Sequence, residues 1–268
     1  MAWFRHIRRH AAASARMVVL HHAGGTADLC RPTGDPAAHW TAGVPDDVEI
    51  WPVELPGRGM RFAEPPADTM AGLAADLSRE VLPLADLPLV VMGHSMGTVL
   101  AFELARRLEA AGRGPVLAIM SGRQAPHLPA PEGRHLLPRD GLVAEMRRLG
   151  GTPPEVFEHA ELLDWVLPVL RADYRLLETH RVDPTPPLAC PILAIAGLAD
   201  ADATPARLAA WSEVTTGPVD VVRIPGGHFQ ILDQGPAMQA PLRQAFAAMA
   251  GNARLTSRLT SCRGSAAR

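Results

Sequence analysis

Leu89-Val-Val-Met-Gly-His-Ser-Met-Gly-Thr-Val-Leu100 is the stretch on which the reading of this chain turns. Four apolar residues run without a polar break into Gly93-His-Ser-Met-Gly97. A continuous apolar run that stops at a glycine turn reads as a strand buried on both faces. Beyond the turn, Gly97, Leu100, Ala101, Leu104 and Leu108 form one stripe at helical spacing, and Glu103, Arg106, Arg107 and Glu109 lie largely off it. The segment from Met96 to Ala111 is therefore an amphipathic helix, which Gly112 is placed to end. Strand, sharp turn and helix is the context in which G-x-S-x-G carries chemistry. The turn lifts the Ser95 hydroxyl clear of the sheet, while Gly93 and Gly97 remove side chains where strand and helix come closest. The helix start turns free N–H groups and a positive dipole end toward the same place. Ser95 is the candidate nucleophile. His94, directly beside it, should point elsewhere and reads as a packing or hydrogen-bonding residue.

Outward from this turn the chain keeps a βαβ rhythm. Short apolar runs occur at Met17–Leu20, Val48–Leu55, Leu89–Met92, Val116–Met120, Ile192–Ala196 and Val219–Ile224, with helix-length segments between them. That pattern predicts a mostly parallel, doubly wound α/β sheet. One interval breaks it. From about 127 to 188 there is no strand signal, only proline-punctuated segments with helical stripes at Leu142, Met146 and Leu149 and over Leu162–Leu177. The interval is read as a helical insertion between two strands, a candidate lid whose bland alternative is a subdomain that only packs. One domain over residues 1–250 is expected, followed by a small, polar, basic tail over 251–268 expected to be disordered.

A nucleophilic serine needs a base, a group to orient it and donors for the oxyanion. In this arrangement the partners follow in the order serine, acid, histidine. After Ile192–Ala196 comes Gly197-Leu-Ala-Asp200, which puts a carboxylate just past the end of a strand. Asp200 is the candidate acid. Asp202 in the same short loop is its rival, although its position also suits capping of a helix that starts near Thr204–Pro205. Of the 11 histidines, His228 alone follows a strand in a glycine-rich loop, Pro225-Gly-Gly-His-Phe229, able to carry it over Ser95. The oxyanion donors are expected to be the backbone N–H groups of Met96, the residue after the nucleophile, and Ala23, in the loop His21-His-Ala-Gly-Gly25 after the first strand. Together these features predict an α/β-hydrolase fold with an inserted helical lid.

The rest of the composition mainly excludes. With 268 residues and 47% apolar content the chain can bury one sizeable core. Its 26 basic and 28 acidic residues nearly cancel, so no overall field favours nucleic acid or an anionic membrane. Three scattered cysteines, Cys30, Cys190 and Cys262, read as free thiols in a reducing compartment. His21–His22 has no third ligand at a usable spacing, so no metal is expected. No run approaches the ~20 apolar residues of a membrane span. The arginine-rich start, Arg5, Arg8 and Arg9, lacks the apolar stretch of a signal peptide. A cytoplasmic monomer without a cofactor is expected.

Several linked segments resemble one family: the type II thioesterases of polyketide and nonribosomal-peptide assembly. They are His22-Ala-Gly-Gly25, Leu55-Pro-Gly-Arg58 with Arg61 and Glu64-Pro-Pro66, Gly93-His-Ser-Met-Gly97, Ala101-Phe-Glu-Leu-Ala105, Ser121-Gly-Arg123 with Ala125-Pro126, Gly150-Gly-Thr-Pro153, Leu170-Arg-Ala-Asp173 and Gly226-Gly-His-Phe229. The resemblance runs from about Met17 to Phe246. It implies a catalytic Ser95, Asp200 and His228, with Ala23 and Met96 as oxyanion positions. It further implies hydrolysis of acyl groups held by thioester on the phosphopantetheine arm of an acyl or peptidyl carrier protein. Two positions depart from the family pattern: His21 replaces its usual proline, and Leu198 its usual second acid. Arg58, Arg61, Arg123, Arg147, Arg148 and Arg171 are candidates for docking an acidic carrier protein. A small-molecule esterase or lipase with the same triad, a binding protein that lost catalysis, and the releasing domain of a synthase stay open as alternatives.

Overall fold

A computed structural model of the chain describes residues 3–129 and 133–265, with side chains described as far as residue 251. The strands are β1 (Ala15–Leu20), β2 (Val48–Pro52), β3 (Leu89–His94), β4 (Leu117–Ser121), β5 (Ile192–Gly197) and β6 (Val219–Ile224). The α-helices are α1 (Met70–Val81), α2 (Met96–Ala110), α3 (Arg139–Leu149), α4 (Pro154–Glu158), α5 (Ala160–Thr179), α6 (Pro205–Ala209), α7 (Gln230–Asp233) and α8 (Gly235–Ser265). The strands form one parallel sheet in the order β2-β1-β3-β4-β5-β6. All six apolar runs of the sequence are strands, and the order reverses beside β1, which leaves the carboxyl end of β3 central.

Alternation along each strand splits the core into two layers. Val18, Leu20, Val91, Ala118 and Met120 face the layer closed by Leu73 and Leu77 of α1 and Leu100, Leu104 and Leu108 of α2. Met17, Val19, Val90, Met92 and Ile119 face the layer closed by Trp40 and by Met238, Leu242 and Phe246 of α8. Both faces being covered is why these strands read as unbroken apolar runs. Helix α2 ends as its sequence predicts. Gly112 takes φ +68, its N–H reaches the Glu109 carbonyl at 2.9 Å, and the Arg113 N–H reaches Leu108 at 2.8 Å. That pair of bonds caps the last turn.

The arginine-rich start has a role that its composition hides. Phe4 and Arg8 bridge antiparallel to Val53 and Ile50, and the Arg8 guanidinium donates to the carbonyls of Pro45 and Val48 at 2.7 and 2.9 Å. The segment covers the outer edge of β2, an edge that would otherwise offer unpaired backbone groups. Between β4 and β5 the expected helical interval contains α3, α4 and α5, with an apolar cluster of its own around Leu142, Met146, Leu163, Leu167, Leu170 and Tyr174. Of the tail expected over 251–268, the side chains beyond 251 and the whole of 266–268 lie outside the described residues; the backbone continues helical as far as Ser265.

Candidate active site

Ser95 sits between β3 and α2 with φ +53 and ψ −116, a conformation that side-chain-bearing residues rarely adopt. The two flanking glycines allow it. A Cβ on Gly93 would stand 2.2 Å from the Gly97 carbonyl oxygen, and one on Gly97 would stand 2.3 Å from that of Leu20. The turn is held by the Ser95 N–H donating to Ser121 at 2.8 Å and by the Thr98 hydroxyl donating to the Ser95 carbonyl at 2.7 Å.

Ser95 Oγ donates to His228 Nε2 at 2.9 Å, and His228 Nδ1 donates to Asp200 Oδ2 at 3.0 Å. The other Asp200 oxygen, Oδ1, accepts the Asp202 N–H at 3.0 Å. Asp200 and His228 are buried, and Ser95 is half-buried. The two rival carboxylates thus face different ways. The Asp202 carboxylate makes no cap to α6; it accepts from Arg134 at 3.0 Å and lies 3.7 Å from Arg148, so it ties this loop to the insertion.

Behind His228 lies a polar network that the sequence did not announce. Gln230 is fully buried. It accepts from Ser121 Oγ at 3.1 Å and donates to the carbonyls of Gly227 and His228 at 2.9 and 2.5 Å, the orientation that satisfies both ends of its amide. With the Ser121 proton directed to Gln230, His94 Nδ1 must be the donor to Ser121 Oγ, at 3.1 Å. His94 is therefore the hydrogen-bonding residue expected of it. Only a tertiary contact could reveal Ser121 and Gln230 in this role, because their partners lie on other elements of the chain.

The loop after β1 lies against the first turn of α2, since the space beside Gly97 is filled by the Leu20 and His21 carbonyls. Residues His22 to Gly25 form a tight turn closed by the Gly25 N–H to the His22 carbonyl at 3.0 Å. Among the described residues the Ala23 N–H has no hydrogen-bond partner. The Met96 N–H, first in α2, has no intrahelical acceptor available to it. A cavity of about 60 Å³ opens between this turn, Phe229 and the insertion; Met146, Leu149, Val166, Leu170 and Tyr174 line its outer wall. A larger cavity of about 650 Å³ lies at the opposite, amino end of the strands, where Pro88, Leu117, Ile192 and Pro218 line it. Ligand sites of parallel sheets lie at the carboxyl ends, so the smaller cavity is the relevant one.

Several of the arginines read as docking candidates are tied into the protein itself. Arg58 is buried and forms a two-pronged pair with Asp173 at 2.5 and 2.8 Å, and Arg61 is buried against Glu64 at 2.5 and 2.8 Å. The Arg123 Nε is enclosed, and burial lowers its pKa to about 10. Arg148 pairs with Glu145, and Arg171 donates to the His135 carbonyl at 2.5 Å. Arg147 is exposed and lies over the Phe157 ring, 4.8 Å from its centroid. The guanidinium fork suits buried carboxylates as well as surfaces, and sequence cannot separate the two uses.

Three more histidines crowd the site: His21, His22 and His94. The His22 ring packs edge-on to Phe229, with centroids 4.7 Å apart, and the His94 ring lies 5.5 Å from that of His228. Burial foremost, then the neighbouring positive groups, pushes His22 down to about 3 and His94 and His21 well below the usual imidazole range. All three are neutral when folded but free to protonate near 6.5 when unfolded. Below that value the unfolded chain binds protons that the folded chain refuses, so stability is full above it and is lost as pH falls. The melting temperature should drop between about pH 7.5 and about pH 5.5, with net proton uptake on unfolding, and His94→Gln should flatten the dependence. Calorimetry in buffers of different ionisation enthalpy checks this; a flat profile or proton release contradicts it.

Among the described residues no helix is long and apolar enough to cross a membrane. Residues 15–243 match the thioesterase domain family. A probable cadicidin biosynthesis thioesterase of Streptomyces griseus is 37% identical over 244 residues, which cover 91% of this chain and 66% of that one. The gramicidin S biosynthesis protein GrsT of Aneurinibacillus migulanus is 35% identical over 85% of this chain and 87% of its own length. Among solved structures, the type II thioesterase BorB from the borrelidin biosynthetic cluster is 39% identical with a TM-score of 0.79, covering 91% of this chain and 98% of that one. With the match spanning most of its length and a serine–histidine–aspartate chain at the strand ends, this protein belongs to the thioesterase family, among its type II members.

Proposed function

We propose that the protein is a stand-alone thioesterase that removes stalled or aberrant acyl groups from the phosphopantetheine thioester of acyl or peptidyl carrier proteins in polyketide or nonribosomal-peptide synthesis. The observation that carries this reading is the hydrogen-bonded chain Ser95–His228–Asp200 at the carboxyl ends of the strands, under a helical insertion, in a chain of this family. Ser95 Oγ attacks the thioester carbonyl while His228 Nε2 takes its proton. The Ala23 and Met96 N–H groups receive the charge that develops on the carbonyl oxygen. Collapse breaks the C–S bond, and His228 returns the proton to the departing thiolate. Water then repeats the sequence on the acyl-enzyme, with His228 as base and Ser95 as leaving group. Asp200 keeps Nδ1 protonated throughout, so that Nε2 is the basic nitrogen. None of these steps calls for a metal or cofactor.

The helical interval at about 127–188 serves as the lid of a single domain spanning 1–250. The apolar side chains Met146, Leu149, Val166 and Leu170, which line the cavity beneath it, suit an acyl chain. The cytoplasm is the place of action on this reading. The test is kcat/KM for acetyl to decanoyl groups on a carrier protein, on small free thioesters and on oxygen esters. Carrier-bound substrates should exceed the free thioesters by at least ~10-fold, because binding of the remote carrier is available to the transition state. Equal or faster turnover of free oxygen esters would make the protein a small-molecule esterase instead.

A further inference from the structure

We propose that Asp173, carried by α5 of the insertion, is the positioning residue of the oxyanion turn. The turn His22–Gly25 offers three consecutive backbone donors from Ala23 onward. The Gly25 N–H is committed to the His22 carbonyl at 3.0 Å, and the Gly24 N–H to Asp173 Oδ2 at 2.8 Å. Asp173 thereby decides which N–H is left for substrate: Ala23. Without it, a second uncommitted donor would sit beside the first, and the turn could rotate about Gly24, whose φ of +72 no side chain restrains.

The carboxylate is fully buried and balanced by the Arg58 fork at 2.5 and 2.8 Å. Arg58 also reaches the Gly25 carbonyl at 3.4 Å and the Pro56 carbonyl at 3.3 Å. Both members of the pair therefore touch the turn, one from the insertion and one from the loop after β2. One turn earlier on α5, the Leu170 side chain lies 3.3 Å from where a Gly24 Cβ would stand, which backs the turn sterically. A buried ion pair is a poor way to stabilise a fold, since well-packed apolar residues do as well. Its geometry is what an apolar pair could not supply: two acceptors placed on one chosen N–H and one chosen guanidinium. The insertion is on this view more than a cover, because it holds the oxyanion turn in its working form.

The inference rests on Ala23 and Met96 being the oxyanion donors, and the experiment separates the two. A slowly hydrolysed aromatic acyl group with a ¹³C carbonyl is placed on Ser95, and its carbonyl stretch is read by difference infrared spectroscopy. In the wild type the band should be shifted down by hydrogen bonding. In Asp173→Asn, isosteric but uncharged, it should move back up, with kcat lower by ~10²-fold and KM within ~3-fold, as for the loss of one oxyanion donor. Glu178→Gln removes another buried carboxylate of α5, one that holds the backbone at 133–135 and not the turn. It should lower the melting temperature and leave the band in place. A wild-type band without a downshift overturns the oxyanion reading, and the proposal with it. A downshift that persists in Asp173→Asn, or one lost equally in Glu178→Gln, overturns the proposal alone. Should Asp173→Asn not fold, Arg58→Lys keeps the charge but loses the fork; a part-way shift is expected there, and an unchanged band overturns the proposal.

Discussion

Ser95→Ala abolishes thioester hydrolysis, with turnover down by at least ~10³-fold, and leaves the protein folded. The loss follows from geometry. Ser95 Oγ is the atom within 2.9 Å of His228 Nε2, and its removal leaves water as the nucleophile. The fold survives because what holds the turn is backbone: the Ser95 N–H to Ser121 at 2.8 Å, and the Ser95 carbonyl accepting from Thr98 at 2.7 Å. Alanine keeps both bonds and bears the same backbone strain at φ +53 as serine does. Turnover of a carrier-bound acyl group, the melting temperature and labelling by a serine-directed phosphonate check this together. A folded variant with near-normal turnover, or phosphonate attached elsewhere, removes Ser95 from its role.

Asp200→Asn lowers turnover by about 10⁴-fold with the fold intact, as the same change does in another triad. The reason here lies in both carboxylate oxygens. One accepts from His228 Nδ1 and the other from the Asp202 N–H, each at 3.0 Å. An asparagine has a single acceptor oxygen for these two donors. With that oxygen left on the backbone N–H, its NH₂ faces Nδ1 and moves the imidazole proton to Nε2, where it can no longer take the serine proton. Asp202→Asn disturbs only the ties to Arg134 and Arg148, so it should cost less than ~10-fold in turnover and show mainly as a lower melting temperature. Steady-state kinetics and melting curves on both variants decide between them. The reverse ranking would make Asp202 the acid.

Much of this was legible in one dimension. Buried parallel strands write themselves as apolar runs, and the sharp turn at Ser95 needs glycine on both sides, so the strands and that turn show as local patterns. The loop positions of Asp200 and His228 were legible too, because strand ends on a parallel sheet converge on one edge. The N-terminal pairing with β2 was not legible. Its bonds run through main chain, which any residue supplies, and the arginines there mask it.

What the sequence alone determined is therefore the fold class, the strands, the sharp turn at Ser95 and a short list of side chains that could meet it. Tertiary structure decided what pairs with what: Asp200 rather than Asp202 against His228, Arg58 inward on Asp173 rather than outward toward a partner, Ser121 and Gln230 behind the histidine loop. The division has one physical cause. Burial periodicity and backbone strain are set within a few residues and leave their mark on neighbouring letters. A charged or polar side chain reads the same in sequence whether its partner is water, a backbone carbonyl or a carboxylate more than a hundred residues away, as the Arg58–Asp173 separation of 115 shows.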